Sequence, residues 1–413
     1  MFKDLSSALD WLYCQKKSQK REDLSRIDYC IKSLDLKLKY KKIHVAGTNG
    51  KGSTICMLKR ILELKGYNVG IFISPFVICF NERIQINGEF IADELVINYC
   101  NQLKAFAEKY YEDTSDTIPF FELTFLMALL HFDCNNIDVA IIECGLGGKL
   151  DATNCLDTDL QIITNIGYDH MQQLGNTLEE IAEHKLGITI SGKKCLTCVD
   201  SSLKDYFNKY SDSNNVEMVY VNEKIDNIES NEYLEFSYKG IFYKARLNAY
   251  YQANNAALAI EAAKQFDHSI NEDLINKALT SSYWPGRFEY VRENIIIDGA
   301  HNIHGINALV ESVKNKYRNK KIKIVFTALF DKLIKEMIEA LDTIADSYYF
   351  TTIVDKRATE ISLFEGLTKK PYQLIENVEK ALEKAVKELN TDEILIITGS
   401  LHFISIVREY FKK

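Results

Sequence analysis

Gly47-Thr48-Asn49-Gly50-Lys51-Gly52-Ser53 follows a short apolar run, Ile43 to Ala46, and leads directly into a helical pattern from Lys51 to Lys65. Glycines let backbone N–H groups turn inward around a phosphate, Lys51 adds a point charge, and the helix N-terminus adds its positive dipole end. Ser53 or Thr54 then stands where a hydroxyl meets a phosphate-bound Mg²⁺. Two residues separate the first glycine from the second, fewer than the spacing of about four in the common phosphate loop. A glycine turn without a ligand is the competing reading. The order strand, loop, lysine, helix favours nucleotide.

Outward from this loop, short β-branched runs alternate with helical periodicity, the pattern of a mostly parallel sheet with helices on both faces. Strands are expected at 43–46, 69–74, 139–143, 161–166 and 194–199, and helices at 51–65, 93–111, 120–133 and 177–186. Asn87-Gly88 and Lys239-Gly240 mark two hairpins. Helices follow at 251–266 and 271–281. Trp284-Pro285-Gly286 ends the helical pattern in a chain with 4 prolines, so the domain boundary is placed there, giving 1–284 and 285–413. Beyond it, strands at 295–298, 322–327, 347–352 and 394–398 alternate with helices as a smaller, Rossmann-like α/β domain. The fold class is α/β in both parts.

Composition narrows the partners. With 50 basic and 58 acidic side chains in 413 residues the net charge is −8, and no basic stripe points to nucleic acid. The longest apolar stretch, 120–132, contains Glu122 and is short of the roughly 18 residues that span a bilayer. Residues 1–17 read as an amphipathic helix without a signal peptide's apolar core, so a cytoplasmic location is expected; a monomer is expected as well. The 10 cysteines are scattered, and Cys195 and Cys198 lie on a strand with no second ligand pair, a structural placing.

Several polar residues sit at carboxyl ends of strands, where ligands collect in open α/β sheets. Glu143 ends one buried strand before a glycine turn, a costly place for a carboxylate unless a metal or cation faces it. Asp169-His170 follows the next strand, and Asp298 and His301 follow a strand of the second domain. ATP held between the two domains is the expectation, with a helix N-cap as the competing role for Asp298.

The motifs occur in an order that resembles the folylpolyglutamate synthase/dihydrofolate synthase family of Mur-ligase-like amide ligases. After Gly47 to Ser53 come Ser74-Pro75, Asn81-Glu82-Arg83-Ile84, Phe121-Glu122 and Glu143-Cys144-Gly145-Leu146-Gly147-Gly148. Leu150-Asp151-Ala152-Thr153-Asn154, Thr164-Asn165-Ile166-Gly167-Tyr168-Asp169-His170 and Lys185 follow. Gln252, Asn255-Ala256, Gly286-Arg287, Asp298-Gly299-Ala300-His301-Asn302, Asp331-Lys332 and Gly399-Ser400 complete the series.

The resemblance implies that L-glutamate is joined to a folate or dihydropteroate carboxylate through an acyl phosphate, with release of ADP and phosphate. It implies catalytic roles for Lys51, His170 and Lys185, and nucleotide contacts by Gly47, Thr48, Asn49, Gly50, Lys51, Gly52, Ser53, Thr54, Asn255, Arg287, Asp298 and His301. Ser53, Ser74, Glu143, His170 and Lys185 would hold Mg²⁺, two ions in all, with Lys185 carbamylated. Arg83, Asp151 and Ala152 fall near the pterin, and Lys332, Arg357 and His402 are candidates for the glutamate carboxylates. The chain departs from the family's usual residues at Phe76 (His), Lys149 (Arg), His184 (an acid) and Leu333 (an acid).

Two other readings stay open. A peptidoglycan Mur ligase generally carries a further domain before the phosphate loop, and 46 residues precede Gly47 here. A nucleotide-binding regulator without ligase chemistry would not need Asp298 and His301 on a second domain.

Overall fold

A computed structural model describes residues 1–16 and 23–412. The helix expected over 1–17 forms as Leu5–Cys14, capped by the Asp4 side chain, and Lys17 lies outside the described residues. The chain divides into two compact units, one of residues 1–166, 172–221 and 258–275, the other of 167–171, 222–257 and 276–413.

The first unit is built on eight strands in the order Glu89–Phe90, Ile84–Ile86, Val69–Phe72, Val139–Glu143, Lys41–Ala46, Leu160–Ile163, Lys194–Thr197, Glu217–Tyr220. From Val69–Phe72 onward every pairing is parallel, and the Asn87-Gly88 hairpin adds the antiparallel edge. The central strands are buried along their length, which is why they read as continuous apolar runs. One apolar cluster joins Phe72 and Ile142 to Leu103, Phe125 and Phe132 from the helices Asp93–Thr114 and Phe120–Cys134. A second joins Ala46 and Ile163 to Ile181, Leu186 and Phe207. Within the first cluster's shell, Arg26 donates to Glu122 through Nε at 2.7 Å and through Nη2, and Nη1 lies 3.3 Å from Asp116. A buried guanidinium is tolerable only with such partners.

The second unit has a three-stranded antiparallel sheet, Ile241–Ala245, Leu234–Tyr238, Ile225–Ser230. It also has a six-stranded sheet ordered Glu289–Arg292, Ile295–Asp298, Glu393–Thr398, Lys321–Phe326, Ser347–Phe350, Tyr372–Leu374. Only its first pairing is antiparallel. Ile296, Phe326, Phe350 and Phe364 fill one face, Ile297, Val325, Leu395 and Phe403 the other.

Four strands escape the sequence reading: Glu217–Tyr220, Ile225–Ser230, Glu289–Arg292 and Tyr372–Leu374. Each is an edge strand or has no fully buried residue, so its composition stays polar and the period of two is weak. Cys195 and Cys198 are buried and form no disulfide among the described residues.

Candidate active site

The phosphate loop owes its shape to two glycines with positive φ, Gly47 at +143° and Gly50 at +85°. A Cβ on Gly47 would lie 1.9 Å from Thr164 Oγ1, so the close approach to the neighbouring strand admits no side chain. Thr48 N donates to Asn165 O at 3.0 Å, Asn49 N donates to Asn165 Oδ1 at 2.9 Å, and Thr164 Oγ1 donates to Asn49 O at 2.5 Å. The loop is thus strapped to the end of the strand Leu160–Ile163 before any ligand arrives.

Two lysines converge on one carbonyl. Lys51 Nζ donates to Gly47 O at 3.1 Å, and Lys185 Nζ, buried in the last turn of the helix Leu178–Leu186, donates to the same oxygen at 3.0 Å. Lys51 Nζ also stands 3.7 Å from Glu143 Oε1, while Glu143 Oε2 accepts from Ser74 N at 3.0 Å. The carboxylate that was expected to face a metal or a cation has the Lys51 cation and the Ser74 N–H beside it in this structure. Ser53 is buried on the helix that opens at the loop, and Thr54 is fully buried with its hydroxyl unpartnered among the described residues.

Beside this cluster, Arg83 is buried with its guanidinium 5.2 Å from the Phe76 ring centre and 5.4 Å from that of Phe120. Phe76, one of the departures from the family pattern, thus stacks on an arginine. Arg83 Nε has no partner among the described residues, and loss of water pulls the guanidinium's pKa down, with the charges of Tyr13, Glu143 and Glu82 opposing. Asp151 is buried too: Oδ2 accepts from Leu146 N at 2.8 Å, and Oδ1 from Thr153 N at 3.0 Å. Burial raises its pKa, and these donors hold the rise back.

In the second unit, Asp298 is a loop organiser. Oδ2 accepts from Tyr251 OH at 2.7 Å and Phe288 N at 2.8 Å, and Oδ1 from Ala300 N at 2.8 Å. The helix Ile303–Lys316 is capped by Asn302, whose Oδ1 accepts from Gly305 N at 2.7 Å, so the N-cap role considered for Asp298 does not hold. Asn255 donates to Gln252 Oε1 at 2.8 Å.

Asp169, which the sequence marks only as a neighbour of His170, is the centre of a polar cluster. Its carboxylate meets Lys332 Nζ at 2.6 Å, Asn302 Nδ2 at 2.9 Å, His301 Nε2 at 3.6 Å and His170 Nε2 at 3.9 Å. Burial alone would raise its pKa; His301, His170 and Lys332 outweigh it and hold the carboxyl far below the usual range. An aspartate in the loop that follows the strand Leu160–Ile163 was the available signal. Of the three residues expected to grip glutamate, His402 Nδ1 and Arg357 Nε flank Asp355 at 3.4 and 3.9 Å, whereas Lys332 is taken by Asp169. Of the expected metal set, Ser53, Ser74, Glu143 and Lys185 belong to the first unit and His170, half-exposed with φ +51°, to the second.

Among the described residues no three His, Cys, Asp or Glu side chains gather as a metal cage. Hydroxyl and carboxylate oxygens beside a phosphate loop still suit Mg²⁺, which usually takes one or two carboxylates and completes its shell with water and substrate phosphate. No helix among the described residues is long and apolar enough to cross a membrane.

Residues 45–263 match the Mur ligase middle domain, and residues 286–401 match the Mur ligase glutamate ligase domain. A phosphate-loop α/β unit joined to a second α/β unit with this pairing of matches defines a Mur-type, ATP-dependent ligase. The dihydrofolate synthase/folylpolyglutamate synthase of Bacillus subtilis is 34% identical, with 100% of each chain covered. The folylpolyglutamate synthase of Lacticaseibacillus casei is 30% identical, with 89% of each covered. Escherichia coli FolC in complex with DHPP and ADP superposes with a TM-score of 0.88 at 26% identity, covering 99% of this chain and 98% of that one. The chain belongs to the folylpolyglutamate synthase/dihydrofolate synthase family. Structures in this family hold ADP, or Mn with AMPPNP and L-glutamate.

Proposed function

We propose that this protein joins L-glutamate to the carboxylate of dihydropteroate, of a reduced folate, or of both, in the cytoplasm. The observation that carries the reading is the convergence of Lys51 and Lys185 on the Gly47 carbonyl with Glu143 3.7 Å from Lys51. That is a cationic cradle and an anion at the mouth of a phosphate loop.

A carboxylate is a poor electrophile because oxide would have to leave. Transfer of the γ-phosphoryl group of ATP to a carboxylate oxygen gives an acyl phosphate and ADP. The glutamate amine, having lost its ammonium proton, then attacks the carbonyl carbon, the C–O bond to phosphate breaks, and an amide and inorganic phosphate result. Such a site works by placing reactants and stabilising charge. Gly47 to Thr54 wrap the triphosphate, and Lys51 exchanges the Gly47 carbonyl for phosphate oxygens. Asn255, Arg287, Asp298 and His301 are proposed on the nucleotide, Arg287 as a bidentate phosphate partner. Asp298 acts by fixing its loop. Arg83, Asp151 and Ala152 face the pteroyl group, and Arg357 and His402 the glutamate. Ser53, Ser74, Glu143 and His170 would hold Mg²⁺, which when bound neutralises phosphate charge. Lys185, buried next to the loop, is the proposed carbamate, an anion for a second ion. The functional division near 284/285 is kept, since the second family match begins at 286.

Phosphate release with ATP, Mg²⁺ and glutamate tests the reading, with dihydropteroate and tetrahydrofolate offered separately. Release that depends on either pteroyl substrate and on glutamate supports it; release indifferent to both returns the nucleotide-binding regulator. Lys185→Ala should lose activity and regain part of it with added acetate or formate; full activity without rescue removes the carbamate.

A further inference from the structure

His44 lies fully buried on the central strand Lys41–Ala46 and has no part in the chemistry above. Its Nε2 is 2.8 Å from Thr153 Oγ1 and 3.0 Å from Cys144 Sγ, and both partners are buried. Thr153 Oγ1 is 2.5 Å from Asp151 Oδ1, the same oxygen that accepts Thr153 N.

Proton positions follow from the geometry. Burial pushes the His44 pKa down to about 3, so the ring is neutral and carries one N–H. Nδ1 has no partner among the described residues, and a buried unpaired N–H is rarer than an unsatisfied acceptor, so the proton sits on Nε2. His44 Nε2–H then donates to Thr153 Oγ1, with the thiol sulfur a second, weaker acceptor. The single hydroxyl proton of Thr153 goes to Asp151 at 2.5 Å in preference to Cys144 Sγ at 3.7 Å. The direction is fixed: His44 to Thr153 to Asp151.

We propose that His44 and Thr153 are positioning residues that fix the Asp151 carboxylate for the pteroyl substrate and so set that substrate's affinity. The inference rests on Asp151 facing the pteroyl group, as proposed above. With the Thr153 hydroxyl lost, Oδ1 keeps the Thr153 N–H and Oδ2 the Leu146 N–H, so the carboxylate loses its side-chain donor and is held less tightly; with the hydroxyl kept, all three donors remain. Shape is not the determinant, since valine fills the same space.

The test is steady-state kinetics with dihydropteroate, ATP and glutamate varied in turn. Thr153→Val should raise KM for dihydropteroate about tenfold or more, the size expected for one hydrogen bond to a charged group, while KM for ATP and glutamate stays unchanged. Thr153→Ser should restore it. His44→Leu should behave as Thr153→Val does, and His44→Gln, which keeps an N–H, should recover part of the loss. Asp151→Asn separates the two levels. If Asp151→Asn leaves dihydropteroate KM unchanged, the substrate reading of Asp151 falls and the relay with it. If Asp151→Asn raises it but Thr153→Val and His44→Leu do not, the relay alone is overturned. Equal loss for all three substrates would mean a structural role and also overturns it. Should a variant fold only in part, dihydropteroate binding by titration calorimetry on the purified folded fraction gives the same comparison.

Discussion

Lys51 is the residue on which the chemistry leans most, and nothing in the core depends on it. Among the described residues its amine bonds only to loop carbonyls, Gly47 O and Thr48 O, and neighbours Glu143. Lys51→Ala should therefore keep its thermal midpoint within a few degrees and lower kcat by about 100-fold or more, the usual effect of deleting one donor to developing charge. Circular dichroism melting beside the phosphate-release assay checks both halves; wild-type turnover in the folded variant would remove the phosphate-loop assignment. Asp169 behaves differently. Asp169→Ala leaves Lys332, whose side chain is 8% exposed, without its carboxylate, and a broken buried pair costs about 3–5 kcal/mol. Urea denaturation should show that loss, and a change under about 1 kcal/mol would mean the cluster is loosely held.

At the scale of elements, the segments that carry the loop were readable because buried parallel strands leave unbroken apolar runs set between glycine-rich turns and helices. The helix Lys51–Lys65 falls on the residues expected, and Thr177, placed at a helix start, turns out to be its cap, with Glu180 completing a capping box. What failed to show was polar and local. Ile225–Ser230 alternates too weakly to announce a strand, and the helix Lys204–Asn214 buries only Phe207. Contacts between distant residues were equally hidden: no spacing rule brings Lys332 to Asp169 or His44 to Thr153. The loop itself yields a prediction. Gly47→Ala places a Cβ against Thr164 and demands φ near +143°, so the loop must move off its strand. Nucleotide affinity, measured by calorimetry with ADP, should fall beyond detection, with about 1–3 kcal/mol of stability lost. Tight ADP binding by this variant would show that the loop is not the nucleotide site.

For the whole molecule, acid stability has a definite sign. His44 stays neutral in the fold down to about 3, while the unfolded chain binds a proton there below about 6.5. His131 is shifted downward by burial as well. Between about 3 and 6.5 the unfolded state thus holds more protons at His44, and this contribution to stability falls as pH drops below about 6.5, by up to about 1.4 kcal/mol per pH unit. Asp169 acts lower: its stabilisation is present above about 4 and is lost as pH falls toward its depressed folded value. The urea midpoint should decline from pH 7 to pH 5, and less steeply in His44→Gln; a midpoint independent of pH over that range would contradict a neutral buried His44.

The claim that joins loop, lysines and second unit is carboxylate activation by phosphoryl transfer. Dihydropteroate labelled with oxygen-18 in its carboxylate, incubated with the enzyme, ATP, Mg²⁺ and glutamate, tests it in one mass spectrum of the released phosphate. One labelled oxygen in phosphate for each amide formed is the expected result. Amide formed with unlabelled phosphate, or phosphate released with no amide at all, would contradict it.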